Sequence, residues 1–237
     1  MKMILYRIYQ FLIMMPILLV ATILTATLTI LFSMIGLGRS MGYYVPMVWA
    51  RLFCALTLVR VTVKGRENIT KGQSYVFVAN HQGAYDIFSI YGYLGHNFRW
   101  MMKKSLEKIP LVGYSCKVSG HIMVDRSSAK GVKSTIQTAE KRLAGGMSVV
   151  VFPEGARTPD GELHAFKKGA FFLATEFRLP VVPISIKGSY DVMPRWAKLP
   201  HWGHITLIIH QPIMPQEEGH DLPRLMEESR NIIATSL

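Results

Sequence analysis

Cysteine is almost absent: 237 residues hold two, Cys54 and Cys116. They form neither a metal-ligand spacing nor a redox pair, which excludes a disulfide framework and leaves them as ordinary buried thiols of a reducing compartment. A zinc helix is missing too, since His201 and His204 flank Trp202 and Gly203, the makeup of a loop. Acidic residues are scarce, 15 against 27 lysines and arginines, for a formal charge of +12. A basic chain of this kind suits nucleic acid, anionic lipid or phosphorylated substrates, or simply carries a solvated positive face. No basic-aromatic nucleic-acid motif is present, so bilayer and phosphate fit better.

Charge is also missing locally. Between Arg7 and Arg39 no residue is charged. The stretch is too long for a signal-peptide core and lacks a cleavage pattern. As one helix it extends about 45 Å against about 30 Å of hydrocarbon, so it is either a tilted span or a helix lying partly in one leaflet. Pro16 near its start is placed to kink it. After Gly36, Gly38 and Gly42 follows "YYVPMVWARLFCALTLVR", suited to the headgroup boundary or to packing on a domain core. Basic residues flank the first segment at Lys2 and Arg7, then more heavily at Arg39, Arg51 and Arg60. The expectation is membrane association with a body facing the cytoplasm. Residues 1–57 are read as anchor helices and 58–237 as the catalytic domain.

Neither internal repeats nor low-complexity linkers interrupt that body. "LVRVTVKG", "SYVFVA", "FRWMM", "HIMV", "MSVVVF", "VVPISI" and "HITLIIH" read as strands. Between them, "YDIFSIYGYL", "KKSLEKIPLVGYSCKVSG" (broken by Pro110 and Gly113), "SSAKGVKSTIQTAEKRLAGG", "AFFLATEFR" and "DLPRLMEESRNIIATSL" read as helices. Such alternation predicts an α/β fold, a mixed or parallel sheet flanked by helices, behind an N-terminal helical membrane anchor.

In such sheets ligands gather beyond the strand ends. Three polar clusters fall there: His81–Asp86, Asp125–Arg126 and Glu154–Arg157. Five helical positions turn about 140°, so His81 and Asp86 meet only if the backbone bends between strand and helix. A carboxylate-held imidazole is a general base; the plainer alternative is a helix-capping Asp86 and a satisfied loop histidine. No G-x-S-x-G elbow supplies a serine nucleophile, so the proton fits a substrate hydroxyl. Arg157, after a strand and Gly155, suits a phosphate; its alternative is a salt bridge to Glu154 or Asp160. Lys103, Lys104, Lys167 and Lys168 are plausible anion contacts or solvated groups. A phosphorylated lipid with a free hydroxyl would suit a base, a phosphate clamp, an anchor and a positive face together.

"NHQGAYD", "GHIMVDR", "FPEGART" and "LPVVPI" occur in the order and approximate spacing of the four motif blocks of glycerolipid acyltransferases. The chain resembles the 1-acylglycerol-3-phosphate O-acyltransferase (lysophosphatidate acyltransferase) family over about residues 60 to 210. That resemblance implies His81 as base and Asp86 as its orienter, with Asn80 shaping the loop. It implies Glu154, Gly155, Arg157, Gly120 and Arg126 in acceptor binding, Arg157 at the phosphate. Lys104 and Lys167 match family lysines near the site, and Pro183 the fourth block. Gly83 stands where serine is common in the family, and Ala156 where threonine is. The implied partners are a lysophosphatidate acceptor, acyl-CoA or acyl-carrier protein as donor, and an anionic membrane surface; no cofactor or metal is implied. Other acceptors (glycerol 3-phosphate, another lysophospholipid, an amino-acid lipid), a membrane-bound hydrolase and a silent lipid-binding protein are the alternatives.

Overall fold

The computed structural model describes residues 1–125, 128–216 and 221–237. Most of the uncharged run lies within a single helix, Lys2–Met34. It comprises α1 (Lys2–Tyr9), a π turn (Gln10–Met14) and α2 (Met15–Met34). Pro16 has no N–H to give to the preceding turn, and the widened turn carries the helix past it. The buried residues Tyr6, Gln10, Met14, Leu18, Ala26 and Thr29 recur mostly at four-residue steps and so form one stripe. The other faces are apolar and open: Ile4 is 65% exposed, Leu12 73% and Leu19 63%.

The helix α3 (Gly38–Leu56) runs back beside α2. It packs on the domain core, the second of its two expected placements: Tyr43, Ala50 and Cys54 are buried among strand residues. Polar contacts hold the α1–α2 helix to the body at both ends. Tyr6 donates to the Thr57 carbonyl at 2.9 Å and Gln10 to the Pro200 carbonyl at 2.8 Å. Just past the far end, Arg39 donates to the Gly145 carbonyl. The body therefore flanks the long helix from one end to the other.

Behind α3 the chain alternates strand and helix as its apolar pattern requires. The order is β1 (Val59–Lys64), β2 (Val76–Ala79), α4 (Tyr85–Tyr93), β3 (Phe98–Lys103), α5 (Val112–Val118), β4 (Ile122–Val124) and α6 (Ala129–Ala144). Then follow β5 (Ser148–Val151), α7 (Gly169–Glu176), β6 (Val181–Lys187), α8 (Ser189–Val192), β7 (Gly203–Ile209) and α9 (Leu222–Thr235). The stretch around Pro110 divides into a 3-10 turn (Lys104–Lys108) and α5.

The seven strands order as β1-β7-β6-β2-β5-β3-β4. Strands β6, β2, β5, β3 and β4 are parallel, β7 is antiparallel to β6, and β1 is parallel to β7. This is the expected mixed sheet flanked by helices. The period of two sorts side chains to opposite faces. Phe77 and Ala79 of β2 join the core under α3 and α4, and Val76 and Val78 join the core under α6, α7 and α9. Burying both faces explains why β2 is four apolar residues without a polar break. The carboxyl ends of β2, β3, β4, β5 and β6 share one edge of the sheet, and the polar clusters lie there.

Candidate active site

Asn80, a fully buried amide, follows the last residue of β2. Its Nδ2 donates to the Ile186 carbonyl at 2.9 Å and its Oδ1 accepts the Ile186 amide at 2.7 Å. This reciprocal pair joins the end of β2 to β6 and fixes where the next residue, His81, leaves the sheet.

The bend between β2 and α4 brings the imidazole and carboxylate together. His81 Nδ1 lies 2.8 Å from Asp86 Oδ2, and Asp86 is fully buried in the first turn of α4. The same oxygen accepts the backbone amides of Gln82 at 2.7 Å and Gly83 at 2.9 Å. These two donors shape the turn. Asp86 thus shapes the turn and binds the histidine, so capping and orienting are one arrangement. The imidazole stacks on Phe152, centroids 3.9 Å apart and planes 8° apart. With Nδ1 engaged, Nε2 is the nitrogen left for chemistry.

The loop after β5 closes over this histidine. Gly155 adopts φ +81°, a left-handed conformation, as its amide donates back to the Phe152 carbonyl at 3.0 Å. Glu154 is buried, and both its oxygens meet backbone: Oε1 accepts the His81 amide at 2.7 Å, Oε2 the His164 amide at 3.1 Å. Burial raises its carboxyl above the ordinary range, and the two amides pull the other way. Its carboxylate holds the His81 segment and the loop together. The Thr158 amide donates to the His81 carbonyl at 2.9 Å, so Arg157 sits one residue from the histidine's own backbone. Neither Glu154 nor Asp160 pairs with Arg157: Asp160 meets His164 Nε2 at 2.9 Å, and among the described residues Arg157 enters no ion pair.

The lysines differ. Lys104 Nζ lies 2.7 Å from Asp125 Oδ2, and that bond raises the Lys104 pKa. Lys167 is exposed and closes the loop through its backbone, its amide donating to the Pro153 carbonyl at 2.9 Å. Gly120 takes φ +88° just before β4, and Pro183 lies buried in β6 opposite Val78. Arg126 lies outside the described residues. Sequence reasoning passed over Phe152 and Thr158. The phenylalanine stood inside the quoted "FPEGART", with no spacing to announce that its ring underlies the imidazole.

The edge thus offers a carboxylate-bound imidazole, an arginine with no carboxylate partner among the described residues, and a loop held by a buried glutamate. Such a set can take a proton from a hydroxyl and hold an anion nearby. Among the described residues no group of three or more His, Cys, Asp or Glu is placed to hold a metal.

The family model described as Acyltransferase matches residues 60–187. The chain is 33% identical to a 1-acyl-sn-glycerol-3-phosphate acyltransferase of Chlamydomonas reinhardtii, over 97% of this chain and 67% of that protein. It is 31% identical to the 1-acyl-sn-glycerol-3-phosphate acyltransferase of Pseudomonas aeruginosa, over 80% of this chain and 74% of that one. It spans 57% of a chloroplast relative from Brassica napus. Among solved structures, the 1-acyl-sn-glycerophosphate (LPA) acyltransferase PlsC from Thermotoga maritima superposes with a TM-score of 0.82 at 25% identity, covering 98% of this chain and 93% of that one.

Proposed function

The chain belongs to the acyltransferase family, and we propose that it moves a fatty acyl group from acyl-CoA or acyl-carrier protein to the sn-2 hydroxyl of 1-acyl-sn-glycerol 3-phosphate, making phosphatidic acid. The observation that carries this reading is the 2.8 Å contact of His81 Nδ1 with Asp86 Oδ2 at the strand-end edge. Arg157, one residue from the backbone bond to His81, supports it as the phosphate contact.

His81 Nε2 takes the proton of the acceptor hydroxyl while Asp86 stabilises the imidazolium that forms. The oxygen attacks the thioester carbonyl carbon, giving a tetrahedral oxyanion. The carbon–sulfur bond then breaks, and His81 returns its proton to the departing thiolate. Atoms balance as phosphatidate and free thiol carrier, with no covalent enzyme intermediate, cofactor or metal. Arg157 grips the acceptor phosphate with its planar fork.

The exposed face of the α1–α2 helix supports membrane association. A polar body that runs beside the helix for its whole length does not follow it through hydrocarbon. The helix therefore lies in one leaflet, its open face in lipid, and the acceptor reaches the site by lateral diffusion. Arg39, Arg51 and Arg60 favour the cytoplasmic side.

The test supplies the purified full chain with labelled oleoyl-CoA or oleoyl-carrier protein and, separately, glycerol 3-phosphate, lysophosphatidate or lysophosphatidylcholine. Phosphatidate formed from lysophosphatidate, with the other acceptors inert, supports the proposal. Product from another acceptor alone replaces the substrate.

A further inference from the structure

A second cationic site lies at the opposite edge of the sheet. A cavity of about 320 Å³ opens there, lined by Ser33 and Gly36 at the end of α2, Arg39 at the start of α3, Arg99 of β3, and Lys141 and Arg142 at the end of α6. Four cations converge on it, and among the described residues its lining holds no Asp or Glu. Arg99 is 2% exposed, and its terminal nitrogens donate to the carbonyls of Phe98 at 2.8 Å and Arg39 at 2.7 Å and to Asn97 Oδ1 at 2.9 Å. It is a buried cation satisfied by neutral groups, and among the described residues it enters no ion pair. Burial, with Arg142 and Arg39 nearby, brings its pKa down to about 10. The same field reaches His121, pushed down to about 3 by burial and by Arg99 and Arg142.

Helix ends explain only part of this. The carboxyl end of α6 attracts a cation, but a helix end carries about half a charge. Four convergent cations with no acid exceed that, and an anion in the cavity relieves their repulsion.

The rim names the anion's source. Residues Met34, Ile35 and Leu37 beside the cavity are 76%, 69% and 43% exposed. They continue the open apolar face of α2. Cationic cavity and apolar rim therefore meet where a headgroup and its acyl chains meet in a leaflet. The cavity is not at the edge that carries His81. It lies where β3 and β5 begin, with Arg99 opposite Val149, whereas Glu154 lies past the far end of β5. The length of β5 separates the two.

We propose that this cavity binds the phosphate of an anionic phospholipid that is not a substrate, with its chains along the α2 face. The inference rests on the reading that this face lies in lipid.

The test measures partition of the full chain onto phosphatidylcholine vesicles with and without phosphatidylglycerol. Three proteins are compared: wild type, Arg39→Gln/Arg142→Gln, and Lys130→Gln/Lys133→Gln, which removes equal charge from α6 outside the cavity. Wild type and the Lys130/Lys133 pair should prefer anionic vesicles by roughly tenfold. The cavity pair should lose most of that preference, bind neutral vesicles as wild type does, and keep acyl transfer in neutral detergent. Equal losses in both double variants, or none in the cavity pair, overturn the proposal. Inorganic phosphate titrated in detergent identifies the other source: if it raises the melting temperature of wild type but not of the cavity pair, the ligand is a soluble phosphate and the lipid assignment fails. Failure of every protein to bind neutral vesicles overturns instead the membrane reading beneath it.

Discussion

Glu154 Oε1 accepts the backbone amide of His81 at 2.7 Å, so a side chain from one strand end sets the position of a backbone at another. The two strands, β2 and β5, are neighbours in the sheet, which is what lets so short a reach connect them.

Glu154→Gln tests that connection. Glutamine keeps one acceptor oxygen and turns an NH2 toward the other backbone amide. Leaving a buried donor unmet costs about 1–3 kcal/mol. The melting temperature should fall and kcat should drop, with the acceptor KM changing less. An acceptor KM that rises with kcat intact would instead give Glu154 a direct contact with substrate.

Asp86→Asn separates shaping the loop from stabilising the charged base. The asparagine oxygen still accepts from Gln82 and Gly83, so the turn should persist. The same oxygen faces His81 Nδ1, so the imidazole keeps its orientation but loses the carboxylate charge that stabilises the imidazolium. Turnover should fall by roughly 10²–10⁴, with circular dichroism unchanged. A folded variant at wild-type rate contradicts the stabilising role.

Gly83→Ser tests how closely the turn before α4 packs on α8. A Cβ at Gly83 would lie 2.3 Å from the Ser189 carbonyl oxygen and 2.4 Å from its hydroxyl. The Ala84 amide also donates to Met193 at 2.9 Å, so the segment cannot move away freely. Overpacking of this kind costs about 1–3 kcal/mol. Calorimetry should show a lower melting temperature; an unchanged one means that the α8 turn yields easily.

His121 governs an acid limit of stability. Its Nδ1 accepts the Trp100 amide at 3.1 Å, and burial with two nearby arginines holds its pKa near 3. In the unfolded chain it titrates at about 6.5. Between those values the unfolded state holds the extra proton, so stability is full above about 6.5 and is lost as the pH falls toward 3. His121 steepens the loss by up to about 1.4 kcal/mol per pH unit. His121→Asn keeps an acceptor for Trp100 and should flatten the denaturation free energy against pH in that window. An unchanged slope assigns the acid sensitivity elsewhere.

Much of this was legible in the sequence because it depends on local pattern. Apolar runs of four to seven residues marked β2, β5 and β6, and glycine and proline marked their ends. The reversal of β7 and β1 against the rest had no local sign, since strand direction follows from how the chain crosses the sheet. For α3, an apolar helix with Arg51 suits lipid and core equally until its neighbours are known. At the site, His81 and Asp86 stood out by residue type. Glu154 stood out too, but its partners are backbone amides, which every residue carries and no sequence distinguishes. Lys104 was readable as an anion contact, while its contact with Asp125 joins the ends of two strands, β3 and β4.

The most direct measurement compares acyl transfer to lysophosphatidate by wild type and His81→Ala, with circular dichroism and vesicle binding recorded on the same samples. The account predicts a folded, membrane-bound variant whose turnover falls by roughly 10²–10⁴. A folded variant that makes phosphatidate at the wild-type rate would contradict it.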